Sequence, residues 1–188
     1  MKSTEDMAQR LLRVDMHEYF LSRISEAMEN ENYIEASWLI YSCFENRYFR
    51  TIQKYRDYCK YCRSKGKCNH KQSNDLALTT KVKCVQRLYN NSVPCITNSF
   101  REGLFKETID WIEKRNKLMH ELLSLEYYQE TDKRFLNSAE FGLNLLKETY
   151  DSCTLFRSYF YEDGYEFVFP EDAMEGCFCK PHNNKMEE

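Results

Sequence analysis

Glycine and proline are scarce in this chain, five and three among 188 residues. An all-β domain built on many tight turns needs more of both, so long helices are the natural expectation. Nowhere do about 18 apolar residues run together, which leaves no candidate for a membrane-spanning helix. Met1 to Asp6 is polar and begins no secretory signal. The expected location is therefore the cytoplasm, where the nine cysteines read as thiols or metal ligands rather than a disulfide framework. A net charge of −3 argues against general affinity for polyanions.

What is present points to one all-α domain over residues 1–188. Hydrophobic residues make up 42% of the chain and charged ones 30%, enough for a sizeable core with a solvated surface. Apolar residues at three- and four-residue spacing predict helices from about Glu5 to Met28, with Leu21, Ile24 and Met28 inside, and from Tyr33 toward Tyr58. The second would bury Ile34, Leu39, Ile40, Cys43, Phe44, Ile52 and Tyr55. A shorter helix is expected over residues 75–89, a turn at Asn90 to Pro94, a helix from Arg101 or Leu104, and a long antiparallel neighbour from Thr131 to about Tyr159. Cys43, Cys84, Cys95 and Cys153 fit as buried small hydrophobes. Asp163-Gly164 between aromatic-rich flanks predicts a small β-hairpin, followed by an irregular tail to residue 188.

Charge is unevenly spread. Arg47, Arg50, Lys54, Arg56, Lys60, Arg63, Lys65 and Lys67 face a single acid, Asp57, with Tyr48, Phe49, Tyr55, Tyr58 and Tyr61 interleaved. Basic groups contact phosphates and aromatic rings stack on unpaired bases, so Arg50, Lys54, Arg56, Lys60 and Arg63 are candidate RNA contacts. An ordinary helix with a solvated basic face would look the same. Acidic residues gather instead after residue 160.

Cys59, Cys62, Cys68 and His70 place three thiols and an imidazole within twelve residues. A Cys-x-x-Cys turn with a following glycine-containing loop can close four ligands around a structural zinc. Cys177, Cys179 and His182 form a second group able to replace one ligand. A reduced, metal-free loop is the simpler alternative.

The most informative run is Glu102 to Leu125, where Arg115, Asn116 and His120 interrupt a broad apolar arc of Leu104, Phe105, Ile109, Trp111, Ile112, Leu118 and Met119. At about 100° per residue, Arg115 and Asn116 point into that arc and His120 lies at its edge. Burying such groups is costly unless they are paired or partly solvated, and residues that break a local rule are expected at working sites. Arg63 and His70 have a related spacing, but Gly66 and the surrounding cysteines argue against a helix there.

With Arg115-Asn116 and His120 in this pattern, the chain resembles the HEPN superfamily, helical-bundle proteins whose signature is Arg, often a polar residue, a few variable residues, then His. The likeness extends to Ala36 through Ile52, similar to the family's early helix with an acidic residue, here Glu45, facing the active helix; Arg47 follows it. The resemblance implies an antiparallel helical bundle and a metal-independent endoribonuclease of toxin or phage-defence type, working as a homodimer whose two Arg/His pairs meet. Arg115 would hold phosphate and His120 would carry protons, with Asn116 orienting either and Glu45 and Arg47 supporting them. No catalytic metal is implied, and partners would be RNA and an antitoxin or nucleotidyltransferase. Leu122 stands where one branch carries a modified Tyr. The alternative is an inactive RNA- or nucleotide-binding or regulatory module stabilised by zinc.

Overall fold

The computed structural model describes residues 4–58, 76–122 and 128–160. They form six helices, α1 (Thr4–Glu29), α2 (Tyr33–Tyr58), α3 (Leu78–Asn90), α4 (Pro94–Thr97), α5 (Leu104–Glu121) and α6 (Tyr128–Ser158), and no strand occurs among the described residues. The all-α expectation holds. The anticipated hairpin and the cysteine-rich segment lie outside the described residues.

Local chemistry sets the helix ends. Asn32 precedes α2, where its Oδ1 accepts from the Glu35 backbone N–H at 3.4 Å and its Nδ2 donates to the Glu35 carboxylate at 2.8 Å, a capping-box variant. The other oxygen of that carboxylate accepts from Arg23 of α1 at 2.7 Å, tying the first two helices across their turn. α3 begins at Leu78, directly after Ala77, whose φ of −57° and ψ of 148° are not helical. The turn at Asn91 and Ser92 then leads into α4, whose first residue is Pro94, a position where the missing N–H costs nothing.

α2 is the central element, packed on α1, α3 and most extensively α6. Residue pairs give the directions. Tyr41 with Arg115, Phe44 with Trp111 and Tyr48 with Phe105 run in opposite order, so α2 and α5 are antiparallel. Arg101 with Glu148, Trp111 with Ser138 and Glu121 with Arg134 make α5 and α6 antiparallel as expected. By contrast, Arg47 with Tyr150, Thr51 with Cys153 and Lys54 with Phe160 make α2 and α6 parallel, so only part of the bundle is antiparallel.

Of the residues expected inside α2, Leu39, Ile40, Cys43, Phe44, Ile52 and Tyr55 are buried, while Ile34 is half-buried. Leu21 of α1 is exposed, contrary to expectation; it lies off the Ile24–Ala27 stripe that meets α2. Tyr48 and Tyr55 are fully buried, which removes both from the proposed base-stacking set: they are core rings. Cys43, Cys95 and Cys153 are buried, and Cys84 is half-buried.

At Gly142 the backbone of α6 packs closely on the Trp111 ring of α5. A Cβ there would lie 2.5 Å from the Trp111 ring, and Trp111 cannot move aside because its Nε1 donates to the Ser138 carbonyl at 2.8 Å. Alanine gains about 1 kcal/mol of helix propensity over glycine, but overpacking costs about 1–3 kcal/mol, so the clash wins. Gly142→Ala should lower the urea midpoint, and Trp111→Leu should remove most of that penalty in the double variant.

Burial also pushes the thiols of Cys43 and Cys153 above their ordinary value and raises the Tyr150 phenol to about 12. Unfolded thiols and phenols therefore ionise first, leaving the unfolded state with fewer bound protons above about pH 9. Stability should be flat through neutral pH and then fall, by up to about 1.4 kcal/mol per pH unit for each group. Denaturant titrations from pH 7 to pH 11 should show this fall, and Tyr150→Phe should lessen it above pH 10.

Candidate functional site at the Arg115 helix

Seven residues of α5 are buried: Leu104, Phe105, Thr108, Trp111, Ile112, Arg115 and Leu118. Their spacing is a regular three-four stripe in which Arg115 occupies a position that packing would give to leucine. The neighbours are α6, α3 and the ring face of α2, with Phe44 against Trp111 at 5.2 Å and Tyr48 against Phe105 at 6.4 Å between ring centres. Elements of the same chain thus fill most of the apolar arc.

Arg115 is 8% exposed. Its guanidinium lies over the Tyr41 ring, 4.8 Å from the centre, a favourable cation–π placement. Nη1 donates to Asn116 Oδ1 at 3.2 Å, while Nε is buried with no hydrogen-bond partner among the described residues. Burial pulls the Arg115 pKa down, opposed by Tyr41, yet an arginine stays charged at any working pH. The result is a cation sheltered from water with donor capacity left unused, suited to an anion that brings its own oxygens.

Glu45 lies close enough to Tyr41 to act on the phenol whose ring faces Arg115. Its proximity helps raise the Tyr41 phenol pKa, after burial, and Arg115 opposes that shift. Its ion-pair partner, however, is Lys81 of α3, with Nζ 2.7 Å from Oε1. Lys81 and Tyr41 thus belong to the cluster although neither was singled out from the sequence. The available signal for Lys81 was a charged residue on the stripe Leu78, Lys81, Val82, Val85, Leu88. Tyr41 precedes Glu45 by one helical turn.

The remaining candidates are dispersed. His120 is exposed and lies about 140° around α5 from Arg115, so one chain does not present the two on a single face. Arg47 points toward α6, its guanidinium 4.0 Å from the Tyr150 ring centre. Arg50 is exposed and donates to Asn46 at 2.9 Å; Lys54 is half-buried beside Phe160. Arg56 is on α2. Lys60, Arg63, the candidate ligands Cys59, Cys62, Cys68 and His70, and the alternates Cys177, Cys179 and His182 lie outside the described residues. Among the described residues no group of three or more His, Cys, Asp or Glu gathers to hold a metal, and no helix is long and apolar enough to cross a membrane.

Comparison with models of protein families, with curated proteins and with solved structures gave no match.

The Lys81–Glu45 pair is asymmetric, with the lysine side chain 3% and the glutamate side chain 42% exposed. Removing the carboxylate takes the ion-pair partner from a buried ammonium, whereas removing the ammonium leaves a carboxylate that water can solvate. Glu45→Ala should therefore destabilise the fold by about 2–3 kcal/mol, and Lys81→Met by less than about 1 kcal/mol. Urea unfolding of the two variants measures the difference; equal losses would contradict the asymmetry.

Proposed function

We propose that this chain is a metal-independent endoribonuclease of the HEPN type, acting in toxin or phage-defence fashion in the cytoplasm. The observation that carries the reading is Arg115: a nearly buried cation with an unpaired Nε, one helical turn and a little more from an exposed histidine. No packing need explains a guanidinium there, since an apolar residue of similar volume would satisfy the same stripe without the cost of desolvation.

RNA supplies its own nucleophile. In the proposed reaction the 2′-oxygen attacks the adjacent phosphorus, forming the P–O2′ bond as P–O5′ breaks. A base removes the 2′-hydroxyl proton, and an acid gives a proton to the departing 5′-oxygen. The products are a 2′,3′-cyclic phosphate and a 5′-hydroxyl. Arg115 would offset charge on the phosphorane-like transition state, Asn116 would hold the guanidinium, and Glu45 with Lys81 would fix the α2 side of the cluster. His120 supplies one proton carrier. A homodimer would supply two and would bring the exposed His120 of one chain toward the Arg115 of the other.

Exposed Arg50 and neighbouring cations would hold the RNA backbone by phosphate rather than by base, because Tyr48 and Tyr55 are core rings. The zinc expected at Cys59, Cys62, Cys68 and His70 would be structural and is not required by this chemistry. An antitoxin or nucleotidyltransferase partner belongs to the same reading.

The burial of Arg115 and its separation from His120 around α5 favour a second reading. A non-enzymic HEPN-like module would use the same cluster to bind RNA or a nucleotide, or to regulate a partner.

Cleavage of RNA should persist in EDTA, spare DNA and 2′-O-methyl RNA, and weaken as salt rises. His120→Ala and Arg115→Met should each lower turnover by at least about a hundredfold. Arg115→Met should also leave thermal stability unchanged or higher, the signature of a charge kept for function. RNA binding without cleavage, unaffected by EDTA or added Mg²⁺, selects the second reading; full activity of either variant rules out the first.

A further inference from the structure

A groove of about 500 Å³ lies between α5 and α6. Trp111, Leu118 and Phe141 give it an apolar floor, and Lys114, Lys117 and Arg134 line it with positive charge; no carboxylate lines it. Glu121 approaches from one end, 3.7 Å from Lys117 and 3.0 Å from Arg134, and offsets part of that charge. Phe141 remains 47% exposed, an aromatic ring held in water beside cations. An occupant matched to this groove carries several carboxylates and an apolar side chain.

Such a segment exists in the same chain. Residues 161–188 hold eight acids and two lysines; taking these from the chain's 30 acids and 27 lysines and arginines leaves residues 1–160 with 22 acids against 25 basic groups. A body of +3 therefore carries a tail of −6. Within that tail, Glu171, Asp172 and Glu175 accompany Met174 and Phe178. Length rules out Glu162, Asp163 and Glu166, and the apolar Met174 and Phe178 set this stretch apart from Glu187 and Glu188. The nineteen residues from Phe141 to Phe160 span about 28 Å at 1.5 Å per helical residue, and an extended chain recovers that distance in about nine residues.

We propose that residues 171–178 dock in the α5–α6 groove of their own chain, with carboxylates on Lys114, Lys117 and Arg134 and an apolar side chain on Phe141. Each exposed ion pair is weak, but tethering raises the local concentration of the tail to about the millimolar range. Docking is then populated yet reversible, and any other anionic ligand must displace the tail to reach this surface. The inference is independent of whether the chain cleaves RNA.

Zero-length carbodiimide coupling of the full-length protein, read by peptide mass spectrometry, tests it. Glu171, Asp172 or Glu175 should couple to Lys114 or Lys117, at least about fivefold less in ~1 M salt, where charges are screened beyond about 3 Å. In a mixture of isotopically light and heavy chains, each linked pair should be of one isotope. Links between light and heavy chains would assign the groove to a second copy, and links confined to other lysines, or none at all, would also overturn the proposal. Lys114→Glu with Lys117→Glu should abolish the links. Adding Glu171→Lys, Asp172→Lys and Glu175→Lys should restore them with the roles of the residues exchanged; failure of the exchange in a folded protein counts against docking.

Discussion

The bundle depends on an aromatic seam in which Phe44 and Tyr48 of α2 meet Trp111 and Phe105 of α5. Phe100 and Tyr89 extend it around Phe105, at 5.3 and 5.6 Å between ring centres. Rings of this size dominate the area a small core removes from water, and their directional contacts fix orientation as well as distance. Trp111 is held from the far side by the Ser138 carbonyl and by the absence of a side chain at Gly142. α2, α5 and α6 are thereby locked into one register, and the positions of Tyr41, Arg115 and the α5–α6 groove follow from it.

Against that apolar frame, the charged groups inside the bundle stand out. Lys81 has Glu45, and the pair reaches water through the glutamate. Among the described residues Arg115 has only a ring face and a neighbouring amide. An unpaired guanidinium in such a place opposes folding, so its presence is hard to reconcile with a purely structural role. That imbalance is the physical basis for reading the α2–α3–α5 cluster as a place where an anion binds.

Electrostatics also separates the molecule into parts that the net charge conceals. A total of −3 describes neither the basic body nor the acidic tail. Association with a polyanion responds to the local field rather than to the sum, which reconciles an acidic chain with a proposed nucleic-acid substrate. The same separation underlies the proposed docking of the acidic residues 171–178 on cations of α5 and α6.

By itself the sequence determined the long helices and most of the α2 core, though not the short α4, because three- and four-residue periodicity is a local property that survives without knowledge of any neighbour. It also marked Arg115 as a polar intruder on an apolar stripe. Tertiary structure alone decided what that intruder meets. The partner of Glu45 became Lys81, 36 positions later in the chain, and Arg115 took Tyr41 instead; Tyr48 and Tyr55, interleaved with cations along the chain, turned inward as core rings. Likewise, the parallel run of α2 beside α6 and the need for glycine at position 142 have no signature within either helix. These features depend on contacts between residues far apart in the chain, and helical periodicity specifies which face is buried but not the element that buries it.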